Sequence, residues 1–127
     1  MARFTDGSLS TLADLRAYEA EVEQTVTDAG LDLNGKLSLA QTEIGAELLA
    51  ASPSVPLEQV TVIDALKLWH TFRTLSTVYR DAYNRKGNDK YFLKWNEYQA
   101  LAKWAATLYF NTTTTPQKER EERRNPH

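Results

Sequence analysis

The sequence predicts an all-α domain: a four-helix bundle-like unit with an antiparallel hairpin of its third and fourth helices and an extended C-terminal arm. Three observations carry this. Four stretches repeat their apolar residues at steps of three and four, the period of one helical face. No stretch alternates apolar and polar residues as a half-buried strand does. The breaks Ser52-Pro53-Ser54-Val55-Pro56 and Arg85-Lys86-Gly87-Asn88 fall between those stretches.

The first helix is expected over about 11–29, where Leu12, Leu15, Tyr18, Val22, Val26 and Ala29 share a side. Thr11 with Asp14 three residues on resembles a capping box. Gly30 suits the position after its end, because glycine takes a positive φ without a Cβ clash. The second helix is expected over about 35–51, with Leu37, Ala40, Ile44, Leu48 and Ala51 as its stripe and Asn34 as its cap. Gly45 inside it costs about 1 kcal/mol against alanine. It is either a tolerated surface glycine or a point of close approach by a neighbouring helix. Pro53 and Pro56 then forbid a continuous helix, since each lacks an N–H and restricts the residue before it.

The third helix is expected over about 60–84, with Val62, Leu66, Trp69, Phe72, Leu75, Tyr79 and Ala82 on one side. Ile63, Leu68 and Val78 widen that stripe. Gly87 ends it, and Asn88 or Asp89 caps the fourth helix, over about 89–110. A turn this short makes the two an antiparallel hairpin. Tyr91, Trp95, Tyr98, Ala102, Ala105 and Tyr109 form the stripe of the fourth, with Phe92, Leu101, Trp104 and Leu108 as a second apolar edge. Residues 1–111 are thus read as one helical domain. Residues 112–127 are read as an arm, since a threonine run, a proline and a charged stretch bury too little to fold alone.

At 127 residues the chain suits a single domain. Its 42% hydrophobic content is too high for a wholly disordered chain. With no cysteine there is no disulfide framework, thiolate-bound zinc or thiol nucleophile. No apolar run approaches the roughly 20 residues of a membrane span, and the N-terminus lacks a signal-like stretch. The expectation is a soluble intracellular product. The net charge of −2 hides an asymmetry. Residues 1–60 hold three bases against ten acids, a balance of −7, and residues 61–127 hold twelve bases against seven acids, a balance of +5. This excludes a uniformly basic nucleic-acid binder and fits either a partner of either sign or self-association of unlike faces.

Motifs for chemistry are sparse. His70 lacks a partner at metal-ligand spacing and reads as a packing or surface histidine; His127 is the last residue. Glu19, Glu21 and Glu23, and then Glu43 and Glu47, cluster without the Glu-x-x-His that carboxylate-bridged metal bundles use. No glycine-rich phosphate loop and no Gly-x-Ser-x-Gly occurs. The expectation is no enzyme, no metal and no cofactor. The basic end of the third helix, Tyr79-Arg80-Asp81-Ala82-Tyr83-Asn84-Arg85-Lys86, complements the helix dipole or forms a patch for a phosphate or an acidic surface. Three tryptophans are hard to hide in a domain this small, which places some of them at an interface.

From Leu66 to Phe110 a resemblance emerges. Its elements are Leu68-Trp69-His70, Arg73-Thr74-Leu75, Val78-Tyr79-Arg80-Asp81-Ala82-Tyr83, Asp89-Lys90-Tyr91, Lys94-Trp95 and Glu97-Tyr98, then Ala102 and Ala105-Ala106. Leu12-Ala13-Asp14-Leu15, Lys36-Leu37-Ser38-Leu39-Ala40 and Glu43-Ile44 extend it toward the N-terminus. The chain resembles the head-to-tail adaptors, or head completion and connector proteins, of tailed bacteriophages. The resemblance implies a structural virion protein: a cyclic homo-oligomer, commonly a dodecamer, beneath the portal. Its partners would be the portal protein and a tail or tail-completion protein. Genomic DNA would pass through its channel without sequence-specific binding, and no membrane would be involved. It also implies location at the head–tail junction, after assembly in the host cytoplasm. The candidate subunit or portal contacts are Arg73, Arg80, Tyr83, Arg85, Lys86, Trp95 and Trp104. Lys118, Arg120, Arg123 and Arg124 in the arm complete them.

A ring needs one face to meet a different face of the next copy, and an acidic first half against a basic second half would fix that orientation. The alternative is a small helical regulatory or protein-binding domain acting through its aromatic hairpin. A third reading is a helical hydrolase with two carboxylates in a cleft.

Overall fold

The computed structural model describes residues 2–124, and side chains as far as residue 113. Five helices follow in order: α1 (Leu12–Tyr18), α2 (Val22–Ala29), α3 (Leu33–Ala50), α4 (Asp64–Lys86) and α5 (Asp89–Arg124). Short 3₁₀ turns at Phe4–Asp6 and Leu57–Gln59 precede α1 and α4. The fold is all-α. Among the described residues the one β-type pairing is an isolated antiparallel bridge between Arg3 and Thr61.

Helix α4 is the centre of the molecule. Of the stripe read from the sequence, Leu66, Trp69, Phe72, Leu75, Tyr79 and Ala82 are buried, as is Val78 beside it, while Val62 is only partly buried and precedes the helix. His70, Thr71 and Thr74 are buried as well, so α4 is covered on more than one side. Helices α1, α2 and α3 pack on it, and α5 folds back along it as the expected hairpin partner. Gly87 closes the hairpin in the left-handed region at φ 65°, with its N–H donating to the Tyr83 carbonyl at 2.7 Å. Gly30 ends α2 in the same conformation, and Leu31 N–H reaches back to the Val26 carbonyl at 2.9 Å, satisfying the last turn.

Four expected boundaries are corrected. The helix expected over 11–29 is two helices, because the chain turns at Glu19, whose backbone is extended. Thr11 still caps the first of them, its N–H donating to Asp14 Oδ2 at 2.8 Å. Helix α3 begins at Leu33 after Asp32, so Asn34 lies inside the helix instead of capping it. Helix α4 begins at Asp64, not near 60. Residues 60–62 are held by the N-terminus instead: Phe4 N–H donates to the Val60 carbonyl at 2.8 Å and Val62 N–H to the Ala2 carbonyl at 2.9 Å. The fourth correction is the arm. Helix α5 does not stop near 110 but continues through the threonine run and Pro116 to Arg124. Proline there removes one backbone donor, and the remaining ladder carries the helix across.

The N-terminal hook also answers the question of Gly45. The phenyl ring of the buried Phe4 and the side chain of Leu57 lie over this glycine, so that a Cβ would stand 3.3 Å from each. The close approach comes from the two short 3₁₀ turns and not from a neighbouring α-helix. Gln41 fastens the hook, accepting from Leu9 N–H at 3.0 Å and donating to the Gly7 and Phe4 carbonyls at 2.8 and 3.2 Å. No helix of the described residues is long and apolar enough to cross a membrane.

Candidate functional site

Helices α3, α4 and α5 do not close completely along one edge. They leave a cleft of about 360 Å³. Helix α3 supplies Glu43 and Glu47, α4 supplies Arg73 and Arg80, and α5 supplies Trp95 and Lys103. Arg73 straddles the two glutamates: Nε donates to Glu43 at 3.2 Å and Nη1 to Glu47 at 2.6 Å. Like charges one turn apart repel by some tenths of a kcal/mol, and one guanidinium between them removes that repulsion. Arg80 Nε donates to Asp81 at 3.1 Å. Asp81 also pairs with Lys36. Burial raises the Asp81 carboxyl pKa, but hydrogen bonds from Lys36 and Arg80 outweigh this and hold it below its ordinary value. Lys103 is exposed and makes no ion pair among the described residues.

The other candidate contacts are dispersed. Tyr83 meets Phe92 edge-on at 5.3 Å and Trp95 at 6.4 Å, an aromatic cluster at the closed end of the hairpin. Trp95 therefore belongs both to this cluster and to the cleft. Arg85 is engaged within the fold: Nη1 donates to the Ala29 and Gly30 carbonyls at 3.1 and 2.7 Å, capping the end of α2. Lys86 is exposed in the last turn of α4. Trp104 is 53% exposed on the outer side of α5. The three tryptophans thus divide, with Trp69 in the core, Trp95 at the cleft and Trp104 in solvent. The side chains of Lys118, Arg120, Arg123 and Arg124 lie outside the described residues.

A buried polar cluster escaped the sequence reading. The Glu19 carboxylate, 6% exposed, accepts from Lys94 Nζ at 2.5 Å and from the Tyr98 hydroxyl at 2.8 Å. Lys94 Nζ also stands 5.6 Å from the centre of the Tyr79 ring, and the Tyr79 hydroxyl meets Thr25 Oγ1 at 3.1 Å. Burial raises the Glu19 pKa; the Lys94 and Tyr98 hydrogen bonds and the Lys94 charge more than offset it, and the carboxyl stays ionised below its usual range. Burial and the bond to Glu19 push the Tyr98 phenol upward. One signal was visible: Glu19 sits four residues after Leu15 and three before Val22, a charge on the apolar line of the helix expected over 11–29. His70 is fully buried, and its Nε2 donates to the Leu37 carbonyl at 2.8 Å. Its Nδ1 has no hydrogen-bond partner among the described residues, and burial holds its pKa below the ordinary value.

The charge halves also resolve differently from expectation. Asp14 pairs with Lys67, Glu19 with Lys94, Glu21 with Lys90, and Glu43 and Glu47 with Arg73. The acidic and basic halves meet inside one molecule. Among the described residues no group of three or more His, Cys, Asp or Glu side chains is placed to hold a metal ion. What the surface offers is guanidinium, indole and apolar faces, the chemistry of side-chain docking. Compared with protein-family models, curated proteins and solved structures, the chain matches none of them.

Proposed function

We propose that this chain is a structural virion protein, a head-to-tail adaptor that forms a ring below the portal of a tailed bacteriophage. The ring extends the DNA channel, and its lower face docks the tail. The sequence resemblance over 66–110 supports this reading. The observation that carries it is the outer side of α5: Leu93, Trp104 and Leu108 stand 71%, 53% and 36% exposed on the hairpin that holds the resemblance. An apolar, tryptophan-bearing helix face in water marks a surface that another protein covers. The acidic residues not used within the fold keep passing DNA from adhering to the channel wall.

The test is electron microscopy of the purified chain mixed with portal rings from the same genome. A second ring stacked on the portal is the expected result. Bare portals at saturating chain concentration overturn the proposal. A second reading, a small regulatory domain that binds one partner through its hairpin, is favoured by the Tyr83–Phe92–Trp95 cluster at the closed end. It predicts a monomer or a twofold dimer in every setting, where the adaptor reading requires a ring on the portal.

A further inference from the structure

Two surfaces lie on opposite sides of α5. At 3.6 residues per turn, Trp95 and Ala102, which line the cleft, are turned by about 160–180° from Trp104. On the Trp104 side, Leu93 and Leu108 fall within about 40° of it, as does Glu97 two turns earlier. Glu97 is exposed and makes no ion pair among the described residues.

The two surfaces are complementary in charge. In the cleft, Glu43 and Glu47 are both taken up by Arg73. Lys103 is left unpaired, and Arg80 keeps part of its guanidinium free, its side chain 43% exposed. The cleft lining holds three cations, Arg73, Arg80 and Lys103, against two acids, Glu43 and Glu47, a balance of +1 that falls toward Arg80 and Lys103, and the opposite side of α5 presents an unpaired acid beside an exposed indole. The cleft volume of about 360 Å³ falls at the lower end of the roughly 300–1,000 Å³ of pockets that enclose small ligands. That is space enough to admit an indole ring. A guanidinium on the face of tryptophan is a favourable pairing.

We infer that copies of this chain bind head to tail, the Trp104 side of α5 in one copy seated in the Arg80–Lys103 cleft of the next. Glu97 of the incoming copy then meets Lys103 and the exposed part of the Arg80 guanidinium. A copy that fills its neighbour's cleft leaves its own cleft open, so the contact is heterologous and propagates until it closes. The inference rests on the ring reading and supplies the contact that the ring needs.

The test uses the full chain in analytical ultracentrifugation at high concentration. The variants are Trp104→Ser on one surface and Arg80→Glu with Lys103→Glu on the other. Lys103→Glu alone is the second cleft variant, because an exposed, unpaired lysine is not needed for folding. The wild type should form species heavier than a dimer. Each variant alone should sediment as the 14.4 kDa monomer with an unchanged helical circular dichroism spectrum. An equimolar mixture of the two variants should give a one-to-one heterodimer and nothing larger, since one intact contact remains. A mixture that stays monomeric overturns the inference. Twofold dimers of the cleft variant show the Trp104 side meeting itself and overturn it as well. Rings formed by both variants overturn the contact and leave the ring standing. A wild type that is monomeric at every concentration also overturns the contact, and its behaviour on portal rings then decides the adaptor reading separately.

Discussion

Replacing Glu19 by alanine removes the acid that ties the α1–α2 break to α5. The Glu19 side chain is 7% exposed and that of Lys94 22%. Removing one partner of a buried ion pair costs about 3–5 kcal/mol, because the other charge is left unpaired. Lys94 has enough exposure to recover part of its hydration, which brings the loss to about 2–4 kcal/mol. Glu19→Gln keeps the shape and an acceptor for Tyr98 and loses only the charge, at about 1–2 kcal/mol. A double-mutant cycle of Glu19→Gln with Lys94→Met, read by urea unfolding, should return a coupling of about 2 kcal/mol. A coupling below about 1 kcal/mol is the range of exposed pairs and would refute the reasoning. The pH dependence provides a second check. Burial alone would raise the Glu19 pKa, but Lys94 and Tyr98 hold it below the ordinary 4.5. A carboxyl lowered on folding adds stability above its unfolded-chain value and loses it as the pH falls through the folded one. The wild type should therefore lose stability more steeply below pH 4.5 than Glu19→Gln does.

His70 is lowered from 6.5 mainly by burial, so the unfolded chain takes up a proton there first. Stability should fall by up to about 1.4 kcal/mol per pH unit below that value, and urea melts of His70→Gln that keep the same slope would sink this account. Arg85→Ala should lower stability by about 1–2 kcal/mol through loss of the α2 cap and leave the oligomeric state unchanged. Lost assembly with an unchanged melting temperature would reverse that assignment. Gly45→Leu should cost about 1–3 kcal/mol by overpacking and speed hydrogen exchange at the Phe4 N–H, whereas Gly45→Ala should be near neutral. Slow exchange at Phe4 in Gly45→Leu would show that the hook does not depend on the glycine.

Helix type and core were legible because periodicity reports burial directly. The stripes of α3 and α4 were read almost residue by residue, and Gly30 and Gly87 marked their turns because only a positive φ serves there. The α1–α2 break carried no glycine or proline. There Glu19 meets Lys94 and Tyr98 some 75 residues on; a charge on the apolar line marks the position, but spacing along the chain does not name the distant partner. The start of α4 moved for the same reason: residues 60–62 pair with the first few residues of the chain, which sequence spacing does not relate. Of the candidate contacts, the cleft brings together Arg73, Arg80 and Trp95. Arg85 looked like a surface base at a helix end, and only the distance to the Ala29 carbonyl shows it working inside the fold.

The charge asymmetry constrains what assembly can use. If the acidic half of one copy bound the basic half of the next, the acids of α1–α3 would have to be free. Asp14, Glu19, Glu21, Glu43 and Glu47 are instead paired within the chain. Breaking those pairs to remake them between copies gains nothing: the exposed ones are each worth at most about 1 kcal/mol, and the buried Glu19–Lys94 pair is costly to open. A tryptophan anchor at the centre of an interface is worth about 2 kcal/mol or more. The contact between copies should therefore be apolar at its centre, with Glu97, Arg80 and Lys103 setting its direction. Salt separates the two cases. The screening length falls from about 10 Å at 0.1 M to about 3 Å at 1 M. An ionic ring dissociates over that range, and one held by Trp104 keeps its mass and loses only speed of assembly. Sedimentation in 0.1 and 1 M salt should give the same species, and dissociation at 1 M would show that the ionic contact holds the copies together.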